Sequence, residues 1–262
     1  RIIPASTGGG FGSKLDVTLQ PLLGLAVLKT GKPCQMVFPR SESLQTSTKR
    51  HPARMRARAG IDAVGKIVGM VFDGDFNTGA YASWGPTVAN RVPIHASGPY
   101  RTPNYRAVGR AIHTNGPVSG AFRGFGVPQG ALIQEILYDD LADMAGQDRL
   151  EFRRKNALKD GDTSVCGQVM EGVGIGECLD ALTPRWRDAL AEAKAFNAGS
   201  ETFKRGVGVA SCWYGCGNTA MSNPSTIRLG ITADGRLVLH QGAVDIGQGS
   251  NTVIPQICAD AL

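Results

Sequence analysis

The stretch "AFRGFGVPQG", Ala121 to Gly130, sets an arginine and two aromatics among glycines and then opens a helix-like pattern. Two other stretches have the same shape, "TGGGFGSKLD" from Thr7 to Asp16 and "DIGQGSNTVI" from Asp245 to Ile254. A helix N-terminus exposes unpaired N–H groups and the positive end of the dipole, and glycines ahead of it let an anionic group reach the backbone. One such loop is a tight strand-to-helix connection. Three in one chain point to a single large anionic ligand held from several sides, and the forked guanidinium of Arg123 suits a phosphate or another oxyanion. No loop is a Walker A, because no G-K-[ST] closes a four-residue gap, and none carries a full three-glycine dinucleotide fingerprint.

The 262 residues are enough for one large domain or two smaller ones, and 42% hydrophobic residues supply a core. Glycine, at 35 residues, is roughly twice its usual share of about 7%, and the excess sits in particular loops. The net charge of +6 is densest in "TKRHPARMRAR", Thr48 to Arg58. That run lacks interleaved aromatics to stack on bases, so it reads as a solvated strand rim and nucleic acid is not expected as a partner. Of the six cysteines, none form a C-x-x-C, which excludes an ordinary zinc or iron–sulfur framework here. Cys212 and Cys216, four apart, have a spacing that could hold a metal but read first as buried thiols, and the usage suits a reduced, cytoplasmic setting. No run reaches the ~20 apolar residues of a membrane span. The opening "RIIPAS" and closing "ICADAL" read as cuts within a larger protein.

Along the chain, "LDVTLQPLLGLAVLKTG" is apolar nearly all round and predicts a buried helix ending at Gly31, followed by a short strand in "CQMVFP". Alternation around "DAVG" predicts a strand pair, and "YRAVGRAIHTN" another strand. After the second loop, Leu132, Ile133, Ile136, Leu137, Leu141 and Met144 mark one helical face. Asp148 should cap the next helix, and Thr183 with Pro184 should begin a further one that ends at Gly199. Strands are expected in "GVGVASCWYG" and in a hairpin around "ADGR", before the third loop and a final helix.

The three motifs, in this order and over essentially the whole chain, resemble the molybdenum-binding subunit of the xanthine dehydrogenase/aldehyde oxidase family, the molybdenum hydroxylases. The resemblance implies an α+β fold of mixed sheets with flanking helices. It also implies a molybdopterin cofactor, or its cytosine dinucleotide, and hydroxylation of an aldehyde or N-heteroaromatic substrate with water-derived oxygen. Iron–sulfur (2Fe-2S) clusters and FAD are then expected on partner domains or subunits, together with a chain carrying the missing C-terminal molybdopterin-binding part. Carried over residue by residue, Gly10, Phe11 and Gly12 present their backbone to the cofactor, and Arg123 stands beside metal and cofactor. Phe11 and Arg123 come nearest the molybdenum, through backbone. Phe125 packs on the substrate, Arg91 stabilises charge developing on it, and Gly247, Gln248 and Gly249 hold the pterin or its phosphate. Trp213 falls near a segment that lines the substrate channel.

Leu15 stands where the purine-oxidising members carry an acidic residue, and a leucine cannot hydrogen-bond a purine edge, so xanthine is not the expected substrate. The family's general-base glutamate lies beyond Leu262. Glu135, Glu171 and Glu177 are poor substitutes. The expected division is a first molybdopterin-binding domain over residues 1–204 and the start of a second over 205–262. The competing interpretation is a scaffold or nucleotide-binding module that keeps the fold without molybdenum.

Overall fold

The computed structural model describes residues 1–3, 5, 7–215 and 224–261. The fold is α+β. Strands β1 (Ala53–Ile61), β2 (Ile67–Gly79) and β3 (Tyr105–His113) form a mixed sheet in that order, β1 antiparallel and β3 parallel to β2. The β1–β2 turn is closed by Asp62, which takes the N–H groups of Val64 and Lys66 on its carboxylate. A parallel neighbour cannot be reached by a tight turn. Accordingly, a helix, labelled α3 (Gly85–His95), makes the crossover from β2 to β3. It follows α1 (Leu19–Thr30) and α2 (Arg40–Thr46).

Period-2 alternation builds the core. Met70, Phe72 and Phe76 of β2 point inward with Met55 and Ala57 of β1 and Ala107 and Ala111 of β3. They meet Ala89, Val92 and Ala96 in and just after α3, and Ile133 and Leu137 of α4 (Val127–Met144). Helix α5 (Arg149–Asn156) is capped as expected, with Asp148 accepting from the N–H groups of Leu150 and Glu151. Trp186 of α6 (Ile175–Gly199) donates its indole N–H to the same carboxylate, which ties α6 to α5. The hairpin of β4 (Arg228–Ile231) and β5 (Leu237–His240) turns at Thr232–Arg236, and α7 (Ser250–Asp260) follows the third loop.

Several local expectations fail for identifiable reasons. Helix α1 ends at Gly31 as read, but none of its residues is buried, and Leu22, Leu25 and Leu28 are exposed. No strand forms over 34–39 or 207–214, because neither segment has a pairing neighbour among the described residues. Helix α6 begins nine residues before Pro184, and Thr183 donates to the Leu179 carbonyl inside the helix instead of capping it. In α4, Gln134, Tyr138 and Leu141 are buried while Leu132, Ile136 and Met144 are exposed, so the predicted face is rotated. Cys212 is exposed, not buried, and Cys216 lies outside the described residues.

Candidate functional site: three glycine loops and an arginine–aromatic cluster

The three glycine loops are far apart in sequence and meet in space. The Arg123 N–H donates to the Phe11 carbonyl at 2.8 Å, joining the second loop to the first. Gly12 lies so close to Ala121 that an added Cβ would sit 2.4 Å from its carbonyl oxygen. The third loop closes on the first from another side: a Cβ on Gly247 would lie 2.4 Å from the Gly9 nitrogen, and one on Gly10 would lie 3.1 Å from Ile246. Both motif phenylalanines, Phe11 (φ 52°) and Phe125 (φ 45°), adopt the left-handed region that a bulky residue enters only when its surroundings hold it there. Such strain concentrates at functional sites.

Several polar groups of the first two loops stay unpaired among the described residues. Among the described residues, the N–H groups of Gly10, Phe11 and Gly12 make no hydrogen bond. The Arg123 side chain is exposed, with its guanidinium 5.9 Å from the Phe11 ring centroid. In the third loop Asp245 takes the N–H groups of Gly247 and Asn251 at 2.8 and 3.1 Å, and that of Gly249 more loosely at 3.4 Å. These bonds hold the Asp245 carboxyl below its ordinary value, Gly247 and Asn251 first. Gln248 folds back on its own loop: its amide donates to the Val244 carbonyl and accepts from the Ile246 N–H. Gly247 and Gly249 are therefore engaged by Asp245, and Gln248 braces the loop from within.

Arg91 and Phe125 are brought together beside this cradle. Arg91 projects from α3, with its guanidinium 6.0 Å from the Phe125 ring centroid and 4.6 Å from that of Tyr214, and it donates to the Gly215 carbonyl. Trp84 meets Phe125 edge-on at 6.4 Å. One helical turn beyond Arg91, His95 bonds the Arg91 carbonyl through Nδ1 and accepts the Gly215 N–H at Nε2, which assigns the neutral tautomer with the proton on Nδ1. Burial, with a smaller opposing effect from the Arg91 carbonyl, keeps its pKa below the ordinary value. Trp213 packs edge-on against His95 and donates to its carbonyl. Leu15 is exposed, and its N–H bonds the Gly12 carbonyl.

Sequence reasoning missed the braces behind the loops. Arg50 donates to the Arg123 carbonyl and to Gln129, and its guanidinium stacks 4.7 Å from the Phe122 ring centroid. Asp16 lies ahead of α1, where its carboxylate accepts from Thr48 and Ser83. The arginine of "TKRHP" was visible only as charge.

His51, next to Arg50, is 3% exposed, and neither ring nitrogen has a partner among the described residues. Burial, helped by the Arg50 charge, pushes its pKa from 6.5 down to about 4. The unfolded chain therefore binds a proton that the folded one refuses. The associated stability is fully present above pH 6.5 and is lost as pH falls toward 4. The expected loss is roughly 3 kcal/mol. Urea midpoints measured between pH 7 and pH 4 should fall less steeply for His51→Leu than for the parent. Parallel curves would show that His51 is not the titrating group.

Three glycine loops thus converge beside an arginine–aromatic cluster, and the chain belongs to the molybdopterin cofactor-binding domain family. Family profiles with that description match residues 1–157 and 181–262. The chain is 44% identical over 181 residues to the nicotinate dehydrogenase large molybdopterin subunit of Eubacterium barkeri, covering 69% of this chain and 43% of that protein. It is 32% identical over 268 residues to the xanthine dehydrogenase molybdenum-binding subunit of Escherichia coli O157:H7, covering 100% of this chain and 35% of that protein. The crystal structure of the aldehyde oxidoreductase from Desulfovibrio desulfuricans superposes with a TM-score of 0.83 at 32% identity, over 94% of this chain and 27% of that one. The chain thus spans less than half of each of these relatives.

The residues present fit such a cofactor. Gly12 and Gly247 let the loops pack backbone against backbone where a Cβ would collide, and the first loop keeps unspent N–H groups beside the exposed Arg123 guanidinium. Among the described residues, no three His, Cys, Asp or Glu side chains are grouped to hold a metal ion directly. Among those residues, too, no helix is long and apolar enough to cross a membrane.

Proposed function

We propose that this chain is the cofactor-binding part of a molybdenum hydroxylase acting on an aldehyde or N-heteroaromatic substrate. The observation that carries this is the convergence of the three glycine loops, with the Arg123 N–H on the Phe11 carbonyl and Gly247 against Gly9. The bound cofactor, molybdopterin or its cytosine dinucleotide with molybdenum, supplies the redox chemistry that moves water-derived oxygen onto the substrate carbon. The N–H groups of Gly10, Phe11 and Gly12 and the Arg123 guanidinium bind the anionic cofactor. The loop of Gly247, Gln248 and Gly249 closes on it. Phe125, braced edge-on by Trp84, offers an aromatic ring to a planar substrate, and Arg91 provides positive charge where negative charge develops. The neighbouring His95 is neutral and Nδ1-protonated, so it orients the Arg91 backbone and adds no second charge.

The division into residues 1–204 and 205–262 belongs to this proposal. So do a cytoplasmic setting and the partners: a 2Fe-2S unit, an FAD unit and a chain with the remaining molybdopterin-binding part and the general base. The similarity to a nicotinate dehydrogenase subunit supports an N-heteroaromatic substrate, and the position of Leu15 disfavours a purine.

Molybdenum and pterin content, measured on the native complex purified with its partner chains, tests the proposal. Near-stoichiometric metal and pterin are expected, with at least a tenfold loss in Arg123→Ala at unchanged thermal midpoint. A folded complex with neither metal nor pterin would overturn it in favour of a scaffold.

A further inference from the structure

The outer face of the β1–β2–β3 sheet carries the basic run noted in the sequence, and the register arranges it in three rows. Arg54, Asp75 and Arg110 form one row across the strands, and Arg56, Asp73 and Val108 the next. Arg58, Val71 and Arg106 form the third. In the first two rows β2 supplies an aspartate between its neighbours. In the third it supplies a valine, so two arginines face each other across an uncharged, half-exposed side chain.

The nearby acids are already committed. Arg110 bonds Asp75 through Nε at 2.5 Å and Asp73 through both terminal nitrogens at 2.9 and 2.5 Å. Its hydrogen bonds are the first cause holding the Asp73 carboxyl below its usual range. Among the described residues, neither Arg58 nor Arg106 makes an ion pair or side-chain hydrogen bond, and both are exposed. Arg58 and Arg106 stand on either side of β2, and their positive charges add over Val71 with no carboxylate in the row. The third row coincides with a recess of about 650 Å³, lined by Arg58, Arg106, Val71, Gly60, Gly69 and Asn104. Two strand spacings separate the arginine backbones, about 10 Å, a gap that two forked guanidinium groups can close on one anion.

We propose that Arg58 and Arg106 form a binding site for a small dianionic oxyanion, which sits over Val71 and completes the third row as the aspartates complete the other two. This site lies on the sheet face opposite α3 and α4, and it does not depend on the cofactor assignment. Tyr105 also lines the recess, but its hydroxyl is held by the Pro93 carbonyl of α3, so the two guanidinium groups are what the site offers, and they suit an oxyanion.

The test is calorimetric titration of inorganic phosphate into the native complex at constant ionic strength, on the parent, Arg58→Gln, Arg106→Gln and Arg54→Gln. The expected result is saturable binding to the parent, weakened at least fivefold by either Arg58→Gln or Arg106→Gln and unchanged in Arg54→Gln. Arg54 is the control because it lies opposite an aspartate. Thermal midpoints confirm that each variant is folded. No saturable phosphate binding to the parent would overturn the proposal. Binding that persists undiminished in the Arg58→Gln/Arg106→Gln double variant would overturn it too, by placing the phosphate elsewhere, the cofactor cradle included.

Discussion

Glu135→Ala is expected to lower the unfolding free energy by about 3 kcal/mol, because it removes the more buried of the two carboxylates paired with a buried guanidinium. Arg153 is 0% exposed and donates through Nε to the Glu135 carboxylate at 2.6 Å, and through Nη2 to the Glu135 carbonyl. The other carboxylate oxygen accepts from Tyr100 at 2.9 Å and Gln134 at 3.0 Å. Asp139 forms a further ion pair with Arg153 at 2.9 Å, but it is more exposed than Glu135 and also pairs with Arg149, so it compensates only in part. One carboxylate thus ties α4 to α5 and to the segment after α3. Breaking such a pair costs far more than omitting it, since the surviving charge stays buried. Glu135→Gln, which keeps the shape and half the acceptors, should fall between parent and alanine, and Glu135→Ala/Arg153→Met should recover much of the loss. Denaturant midpoints of the four proteins decide the matter. A single alanine variant within about 1 kcal/mol of the parent would mean that water reaches Arg153.

This pair also shows why part of the fold was illegible in the sequence. The apolar stripe of α4 pointed to one inner face, yet the helix turns Gln134, Glu135 and Tyr138 inward: Arg153, 18 positions after Glu135, pairs with that carboxylate, Gln134 donates to it, and the Tyr138 hydroxyl donates to the Ser97 carbonyl. Periodicity counts hydrophobic residues and cannot see a compensating charge on another helix. The strands were legible for the converse reason. β1 alternates arginine with small or apolar residues, and its turn is set locally by Asp62. Helix α3 escaped notice because Pro86 and Pro93 look like breakers. Pro86 lies in its first turn, where no N–H is needed, and Pro93 is accommodated near its end. The site divides in the same way. Its loops could be picked out from glycines alone, but Arg50 and Asp16 act across 73 and 32 residues, and no short-range pattern announces such contacts. Asp245 was a missed local signal, since an aspartate that accepts the N–H two residues on forms an Asx turn.

Gly12→Ala and Gly247→Ala should each reduce molybdopterin content at least tenfold in the native complex, whereas Gly8→Ala should leave it unchanged. At Gly12 (φ 101°) the added methyl would lie 2.4 Å from the Ala121 carbonyl oxygen and 2.8 Å from the Phe122 Cα. At Gly247 (φ 106°) it would lie 2.4 Å from the Gly9 nitrogen. All of these neighbours are backbone, so no side chain can swing aside, and the strained φ adds about 1–3 kcal/mol. At Gly8 nothing lies within 4 Å, and the same methyl is tolerated. The two substitutions push on different points of the first loop. Gly12→Ala drives it from the second loop and breaks the Arg123 N–H bond to Phe11, while Gly247→Ala drives it from the third. If the loops form one cradle, either displacement empties it, though the sheet core is untouched and the complex still assembles. Cofactor loss in Gly12→Ala with full retention in Gly247→Ala would show that the third loop is not part of the cradle. Retention in both would mean that the three loops meet for packing alone.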